Sequence, residues 1–404
     1  MRILNVTAQK PDATGSGIYL SEMVKSQAAQ GHETAVICGV DAGEKIVTLP
    51  ASTRIYAVEF TTEKLPFHVL GMSDVMPYAA TRYRDLTPEM AHLFETAFVE
   101  CIQRAVSEFK PDIIISHHLY LVTALVREIV SGIPVGAVCH STGLRQLEQI
   151  PFERERIKAQ ICSLDAIFAL HEAQAARIVR ETGADASRIQ VVGAGINRDI
   201  FTTTKDQIAP VPGTIFYAGK IWSKKGVACL IHALDLIDKN RLPEGIDTLR
   251  VRMAGGAGQD RDDYERICLR AQTCRWPIEF LGKLPQENLA DAYRAADVYV
   301  LPSFYEGLPL VVGEALACGC KDVVTALPGL KQWFAAHVQE APIVWIDPPR
   351  MASIDEPCAE DLPAFEERLA QGILAALAME RPHVDVSAMG WDHITQDVIA
   401  RLVS

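Results

Sequence analysis

The sequence has no excess of positive charge, no long apolar run and no cysteine pair of the CxxC type. Its 404 residues carry 39 Lys and Arg against 51 Asp and Glu, which gives a formal net charge of −12. This acidic balance argues against a nucleic-acid carrier and against broad docking on anionic lipid, because both need a basic face. Because no run of about 18 apolar residues occurs, we expect no membrane-spanning helix.

The chain does have ample apolar sequence: 49% of its residues are hydrophobic and 22% are charged. We therefore expect a folded core and not intrinsic disorder. Most of the ten cysteines stand in apolar runs, and we interpret them as reduced thiols of a reducing compartment. Residues 1–6 indicate a strand and not a signal peptide, so we predict a cytoplasmic protein.

Short apolar runs alternate with longer segments of helical period along the chain. This order predicts parallel sheets covered by helices on both faces, in two doubly wound α/β domains of near-equal size. The polar segment 202–213, which contains two Pro and one Gly, predicts the linker between them. Segment 60–90 breaks the rhythm and predicts a long ordered loop plus a helix near the N-terminal cleft. It is either functional or a mobile surface insertion.

Two glycine-containing strand ends predict contact with an anion, although neither is a complete nucleotide-binding signature. Gly15-Ser16-Gly17 precedes a predicted helix, but the GxGxxG dinucleotide signature is missing. The segment from Gly219-Lys220 to Lys225-Gly226 places two or three cations at a helix N-terminus, which suits a diphosphate. The GxxxxGK[ST] pattern is missing there. The alternatives are a plain helix entry turn and a solvated basic loop.

Two carboxylates, Glu306 and Glu314, stand eight residues apart on either side of Pro309. Pro309 predicts the first position of a helix. Glu306 would then lie in a loop at the carboxyl edge of a sheet, and Glu314 on the second helical turn. The pair is suited to hold two parts of one extended polar ligand. The alternative is an acid matched to the helix dipole together with a solvated Glu.

Histidines follow two other predicted strands. His140 comes directly after strand 134–139, where it is either an active-site group or a structural side chain in a capped turn. His117 and His118 are adjacent on an extended segment, so their side chains diverge and are poor joint ligands for a metal ion. Since nothing else in the sequence offers a believable zinc set, we predict no metal site.

The stretch from Glu306 to Gly319 resembles the E-x7-E signature of retaining glycosyltransferase family 4. The preceding segment 280–303 is similar to that family's approach to the signature, and 219–226 resembles its phosphate-binding segment. Weaker matches are found at three other places: the Gly15–Gly17 loop, His140, and Gly390-Trp391 followed by the predicted helix 392–403. The resemblance covers nearly the whole chain.

This resemblance implies the GT-B fold, in which two Rossmann-like doubly wound domains face each other across a cleft. The implied parts are an N-terminal acceptor-binding domain (1–205), a C-terminal nucleotide-sugar-binding domain (206–385) and a helix that crosses back to the N-terminal domain (386–404). It also implies retention of anomeric configuration. No metal or other cofactor is implied, because cationic side chains and helix N-termini take the electrostatic role of a metal.

The resemblance further implies a role for each matched residue. The catalytic residues would be Glu306 and His140, and the donor diphosphate would be held by Gly17, Lys220 and Lys225. The donor ribose and sugar would contact Glu314, Gly307, Leu308 and Leu310, and the base would be bordered by Leu281, Gly282 and Leu284.

The chain departs from the family pattern at three points, one of which is His171, where the family commonly has a Ser. Lys220 replaces the usual Arg, which loses a bidentate fork on phosphate, and the segment 193–197 replaces a Pro-Asn-Gly turn.

The expected function is transfer of a hexose or N-acetylhexosamine from a nucleotide-diphosphate sugar, a UDP-sugar being favoured, to a small soluble acceptor. The alternatives are a sugar-nucleotide epimerase of the same fold and a non-catalytic sugar-nucleotide-binding protein. We expect no nucleic-acid partner and no strong membrane signal, and the oligomeric state stays open.

Overall fold

The computed structural model describes residues 1–11, 13–74, 76–203, 208–258, 260–353 and 355–404. Its strands are, in chain order, β1 (Arg2–Val6), β2 (Glu33–Asp41), β3 (Arg54–Phe60), β4 (Leu70–Gly71), β5 (Thr81–Arg82), β6 (Ile113–His117), β7 (Val135–Val138), β8 (Ala166–Ala169), β9 (Ile189–Val191), β10 (Thr214–Ala218), β11 (Arg250–Ala254), β12 (Ile278–Gly282), β13 (Val298–Leu301), β14 (Lys321–Thr325) and β15 (Ile343–Ile346).

The helices alternate with these strands. They are, in chain order, α1 (Gly15–Ala29), α2 (Pro88–Phe109), α3 (Leu121–Ile129), α4 (Ser141–Gln149), α5 (Arg154–Cys162), α6 (Glu172–Thr182), α7 (Val227–Asp235), α8 (Arg261–Gln272), α9 (Gln286–Ala295), α10 (Leu310–Ala317), α11 (Leu330–His337), α12 (Leu362–Ala378) and α13 (Trp391–Val403). Single 3₁₀ turns are found at Tyr83–Asp85, Ala186–Arg188, Ser223–Lys225, Lys239–Arg241, Ala359–Asp361 and Ser387–Met389.

The chain divides into two compact units. The first comprises Met1–Gly195 and Trp391–Ser404, and the second comprises Ile196–Gly390. The predicted boundary between residues 205 and 206 lies outside the described residues. Among the described residues, no helix is both long enough and apolar enough to cross a membrane.

The first unit is built on a parallel sheet with the strand order β3-β2-β1-β6-β7-β8-β9. Val6 at the end of β1 is paired with Ile37 of β2 on one side and with Ser116 of β6 on the other. Ile113, Ile114 and Ile115 of β6 are fully buried, because helices cover both faces of a parallel sheet. From β1 the chain adds β2 and β3 on one side of that strand, and it then adds β6 to β9 on the other side. The strand order therefore reverses between the neighbouring strands β1 and β6.

Helix α13 closes the first unit, although it ends the chain. It packs on α1 and β8, and Gln30 at the end of α1 donates a 3.2 Å hydrogen bond to the carbonyl of Asp392. A Cβ at Gly136 of β7 would come within 2.9 Å of Leu402 on α13, so this helix lies directly on the sheet. The prediction of a closing helix that returns to the N-terminal unit is confirmed.

The second unit is built on a parallel sheet with the strand order β12-β11-β10-β13-β14-β15. Its first strand, β10, lies between β11 and β13. The chain adds β11 and β12 on one side of β10 and β13 to β15 on the other, so the strand order reverses between β10 and β13. Helices α7 and α12 pack together on this sheet around buried side chains such as Leu230, Phe365 and Ile373. The prediction of two doubly wound α/β sheets is confirmed.

Segment 60–90 differs in part from its prediction. Among its described residues no α-helix precedes Pro88, and the order comes instead from the short parallel pair β4 and β5 and one 3₁₀ turn. Six apolar side chains among the described residues of the segment are buried in the core of the first unit, namely Phe60, Leu65, Val69, Leu70, Met72 and Tyr83. This packing favours an ordered element over a surface insertion.

Candidate functional site

The reversal point of each sheet is where a ligand is expected in a doubly wound fold, because the loops after the two central strands separate there. In the second unit these loops follow β10 and β13. We call residues 219–226 the phosphate loop and residues 302–309 the acidic loop. Together they carry four of the ten residues predicted to hold the donor, as well as the predicted catalytic carboxylate: Lys220, Lys225, Gly307, Leu308 and Glu306.

The two loops touch through backbone alone at one point. Gly226 has a φ of +69°, and a Cβ there would lie 2.0 Å from the carbonyl oxygen of Pro302. A side chain at this position would therefore push the acidic loop away, and a left-handed φ disfavours one in any case. Gly226 also precedes the first residue of α7, so the phosphate loop ends at a helix N-terminus. That end carries a partial positive charge.

Lys225 and Glu306 join the two loops by an ion pair. The Lys225 Nζ donates to Glu306 Oε1 at 2.7 Å and to the carbonyl of Tyr305 at 3.2 Å. The two side chains are 24% and 18% exposed, so both reach solvent at the carboxyl edge of the sheet. The predicted diphosphate cation and the predicted catalytic carboxylate are therefore direct neighbours. A ligand that binds Lys225 has to share that ammonium group with Glu306.

Lys220 lies in the same electrostatic neighbourhood. Partial burial and the positive charges of Lys225 and Lys283 lower its pKa, and the charge of Glu306 acts in the opposite direction. A concentration of ammonium groups with one nearby carboxylate suits an anionic ligand. The third cation expected from the sequence, Lys224, points elsewhere: its Nζ pairs with Asp355 at 3.0 Å and Glu356 at 3.4 Å.

The buried Tyr217 of β10 supports the phosphate loop from below. Its hydroxyl donates a 2.7 Å hydrogen bond to the carbonyl of Lys220, and its side chain is fully buried. Nothing in the sequence distinguishes Tyr217, because an aromatic residue in an apolar strand normally belongs to the core. Only the contact with the loop reveals its second role.

Glu314 lies on α10 and is buried, with 8% of its surface exposed. It is therefore not the solvated helical Glu that was the alternative interpretation. Glu306 lies in the acidic loop and is half-buried, as are Gly307 and Leu308. Because α10 begins at Leu310, the amide of that residue has no acceptor within the helix. Pro309 precedes the helix as its N-cap and is not the first helical residue.

The predicted base-contacting residues lie at and beyond the end of β12. Gly282 is exposed with a φ of +68°, and Leu281 and Leu284 are half-buried. The carbonyl of Gly282 accepts a 2.7 Å hydrogen bond from the amide of Gly255. Gly255 and Gly256, which follow β11, form a further glycine-containing strand end that was not predicted from the sequence. The signal was the run from Ala254 to Gly258 directly after an apolar strand.

The first unit gathers three histidines at the reversal point of its own sheet. His117 ends β6, His118 follows it and His140 follows β7 as the N-cap of α4. The His117 Nδ1 lies 3.2 Å from the His140 Nε2, and the His118 ring centroid lies 4.8 Å from that of His140. Burial lowers the pKa of His140 to about 3, so its ring is neutral at neutral pH.

His118 adopts a φ of +73° and is tied to the loop that follows β1. Its Nε2 lies 3.3 Å from the side-chain Nε2 of Gln9, and that Gln9 nitrogen also donates to the Ser16 hydroxyl at 2.8 Å. Gly17 is predicted to face the donor phosphates, but its amide already donates to the Thr14 hydroxyl at 3.1 Å. Among the residues that the structure describes, no group of three His, Cys, Asp or Glu side chains is arranged to hold a metal ion.

Tyr19 connects His140 to the closing helix. Its ring meets the His140 ring edge-on at 5.1 Å and the Trp391 ring at 4.7 Å. Its hydroxyl donates to the carbonyl of Gly193 at 3.1 Å. His140 thus lies between Tyr19 of α1 and the two histidines at the end of β6, whereas the sequence placed it only by its position after a strand.

Comparison with known proteins covers most of the chain. Residues 13–200 match the family model described as Glycosyltransferase Family 4, and residues 212–353 match that described as Glycosyl transferases group 1. A D-inositol 3-phosphate glycosyltransferase 2 from Catenulispora acidiphila is 26% identical over 344 residues, which are 79% of this chain and 75% of that protein. A D-inositol 3-phosphate glycosyltransferase from Xylanimonas cellulosilytica is 33% identical over 208 residues, and the match spans about half of each protein: 46% of this chain and 48% of the relative.

Solved structures share the fold over the full chain. Sucrose-phosphate synthase from Thermosynechococcus elongatus matches with a TM-score of 0.65 and 18% identity, covering 99% of this chain and 98% of that one. HepE from Anabaena, solved in complex with UDP, matches with a TM-score of 0.65 and 14% identity, covering 100% of both chains. At these identities the likeness establishes the fold, which is the predicted GT-B type.

Proposed function

Because the chain belongs to glycosyltransferase family 4, we propose that it moves a hexose or N-acetylhexosamine from a nucleotide-diphosphate sugar to a small polar acceptor, with retention of anomeric configuration. That the chain is a glycosyltransferase of GT-B type follows from the family and the fold. The sugar, the nucleotide, the acceptor and the stereochemistry are the proposal.

One observation carries the proposal: the Lys225–Glu306 ion pair lies beside Lys220 at the reversal point of the second sheet. When the bond from the anomeric carbon to phosphate breaks, its electron pair stays on the leaving diphosphate. Lys220 and Lys225 and the N-terminus of α7 are suited to stabilise that negative charge. Positive charge develops at the same time near the anomeric carbon, and a carboxylate such as Glu306 favours it.

The rest of the reaction is a displacement on one face of the sugar. The acceptor hydroxyl oxygen forms the new bond on the face that the diphosphate leaves, and its proton passes to the leaving phosphate oxygen. No covalent bond to the protein is needed. His140, neutral through burial, would contact the sugar as a hydrogen-bonding group and would not carry charge. Glu314 would accept from the ribose hydroxyls.

The choice of substrates rests on similar proteins. The HepE structures are described as complexes with UDP, with UDP and glucose, and with UDP-glucose, which favours a UDP-sugar as the donor. Several relatives are named D-inositol 3-phosphate glycosyltransferases, and inositol 3-phosphate is a small polar acceptor. The first observation bears on the donor, and the second supports a small soluble acceptor.

We also propose that turnover needs no metal ion, because the lysines and the helix N-terminus already supply positive charge at the diphosphate. Excess EDTA should leave the rate of transfer nearly unchanged. Complete loss of activity that Mg²⁺ or Mn²⁺ restores would overturn this part of the proposal.

The proposed function is tested by incubating the full chain with UDP-, GDP- and ADP-sugars, with and without a set of polyols and sugar phosphates. Mass spectrometry should find a glycosylated acceptor and the matching nucleoside diphosphate, and NMR of the product should show the donor's anomeric configuration. Conversion of the donor to an isomer without any acceptor would indicate an epimerase instead. Binding of the nucleotide without turnover under every condition would indicate a non-catalytic binding protein.

A further inference from the structure

The loops after three adjacent strands of the second sheet are held edge to edge by their glycines. The amide of Gly219 donates to Ala254 at 2.9 Å, and the amide of Gly255 donates to Gly282 at 2.7 Å. Gly255 has a φ of +143°, and a Cβ there would lie 1.7 Å from the carbonyl oxygen of Gly219. The ends of β10, β11 and β12 therefore form one continuous backbone surface, which we call the glycine ledge (Gly219, Gly255 and Gly282).

Lys283 follows the outer end of this ledge and folds back along it. A Cβ at Gly256 would lie 3.0 Å from the Lys283 Cε and 3.7 Å from its Cγ, so the aliphatic stem of the lysine covers that glycine. The carbonyl of Gly256 in turn accepts a 2.8 Å hydrogen bond from the amide of Ile221, which follows Lys220. The stem of Lys283 thus lies along Gly256 on the side of the phosphate loop, although the residue as a whole is exposed.

The charges along the ledge are unbalanced. Lys283 is near enough to Lys220 for its positive charge to act on it. Within the described part of the chain, neither Lys220 nor Lys283 forms an ion pair with a carboxylate, whereas Lys225 is paired with Glu306. Elsewhere in the same unit, the half-buried Lys224 and the exposed Arg350 are paired with carboxylates. Ammonium groups that are brought together without counter-charge repel one another, and an anionic ligand removes that cost.

We propose that Lys283 is a third cation of the donor site and binds the diphosphate of the nucleotide from the side of the glycine ledge, opposite the acidic loop. The inference rests on the proposed function and adds a residue and a direction of approach to it. The diphosphate lies across the backbone of the ledge, whose three glycines carry no side chain. Lys220 and Lys225 contact it from the phosphate loop, and Lys283 contacts it from the end of β12.

The test is calorimetric titration of the full chain with UDP, with GDP and ADP as further probes, and with uridine as a probe without phosphate. Lys283→Gln should weaken binding of the diphosphate by about 5- to 20-fold. This loss is smaller than that expected from removing a buried charged hydrogen bond, because the side chain is exposed. Uridine binding should not change. Lys283→Arg, which keeps the charge, should retain most of the affinity of the parent protein.

Lys239→Gln serves as the matched control. It removes the same charge from an exposed lysine of the same unit, in the 3₁₀ turn before the amino end of β11. It should leave every affinity unchanged. The affinity of Lys283→Gln for the diphosphate should also fall less steeply with added salt than that of the parent, because one fewer cation is involved.

Two outcomes overturn the inference while leaving the proposed function intact. One is a Lys283→Gln variant that binds the diphosphate as tightly as the parent. The other is a variant that loses affinity for uridine as much as for the diphosphate, which would place Lys283 at the base. A parent protein that binds none of the three diphosphates would overturn the proposed function and this inference together.

Discussion

Glu306 makes opposite contributions to nucleotide binding and to turnover, and Glu306→Gln separates them. In the structure Glu306 holds the ammonium group of Lys225 at 2.7 Å. A phosphate oxygen on the free side of that ammonium group would lie at a usual distance of about 2.8 Å from it. The carboxylate and the phosphate are then about 5.5 Å apart, since the ammonium group lies between them.

The size of the effect follows from this separation. At an effective dielectric constant of about 20, two unit negative charges about 5.5 Å apart repel by about 3 kcal/mol. Both side chains of the pair reach solvent, with 24% and 18% of their surfaces exposed, so screening reduces this repulsion. We expect about 1–2 kcal/mol, which is an affinity for the nucleoside diphosphate about 5- to 30-fold tighter in Glu306→Gln than in the parent protein.

Turnover should change in the opposite direction. The same carboxylate favours the positive charge that develops near the anomeric carbon, so Glu306→Gln should lower kcat on the order of 100-fold. Calorimetry with UDP measures the first effect and steady-state kinetics the second. Glu244→Gln, which removes an exposed carboxylate from the loop before β11, is the control and should change neither quantity.

A double substitution checks the physical cause. In a Lys225→Met background the shared ammonium group is gone, so adding Glu306→Gln should change UDP affinity by a different amount than it does alone. If Glu306→Gln weakens UDP binding, or if its effect is the same with and without Lys225, the reasoning from the shared ammonium group is refuted.

Three further predictions follow from single contacts. Tyr217→Phe removes the hydroxyl that holds the phosphate loop through a hydrogen bond worth about 1 kcal/mol, so KM for the donor should rise a few-fold with a smaller change in kcat. Tyr299→Phe is the control, because the Tyr299 hydroxyl lies 3.4 Å from the carbonyl of Ala218. An equal effect of the two substitutions would contradict this prediction. Glu314→Gln should mostly raise KM for the donor, and a loss of kcat greater than that of Glu306→Gln would reverse the assigned roles. His140, whose pKa burial lowers to about 3, stays neutral in the folded state while the unfolded chain takes up a proton below pH about 6.5. Stability should therefore fall by about 1.4 kcal/mol per pH unit for this group as pH drops from about 6.5 toward 3, and urea unfolding of His140→Gln should show a shallower decline.

Much of the fold was determined by local patterns in the sequence. A strand such as Thr214–Ala218 has a clear local signal, because buried parallel strands are short continuous apolar runs. The same holds for α2, since Thr87 caps it and Pro88 opens it. The local signals of β3 at a sheet edge and of α11 are weaker, because these elements are short.

The sequence also determined which residue types stand at the strand ends, and therefore the class of chemistry. Lys225, Glu306 and His140 were selected because charged and polar side chains directly after apolar strands lie at the edge where parallel sheets bind ligands. The order of residues along the chain is enough to assign them to an edge of a sheet. It does not determine which of them touch.

Contacts between distant residues were decided only by the tertiary structure. The strand order of the second sheet brings the loops after β10 and β13 together, so Lys225 pairs with Glu306 across 81 positions while its neighbour Lys224 pairs with Asp355 across 131. The same order places Lys283 along the glycine ledge. Adjacent lysines are alike in the sequence, and their different partners follow from where the folded backbone directs each side chain.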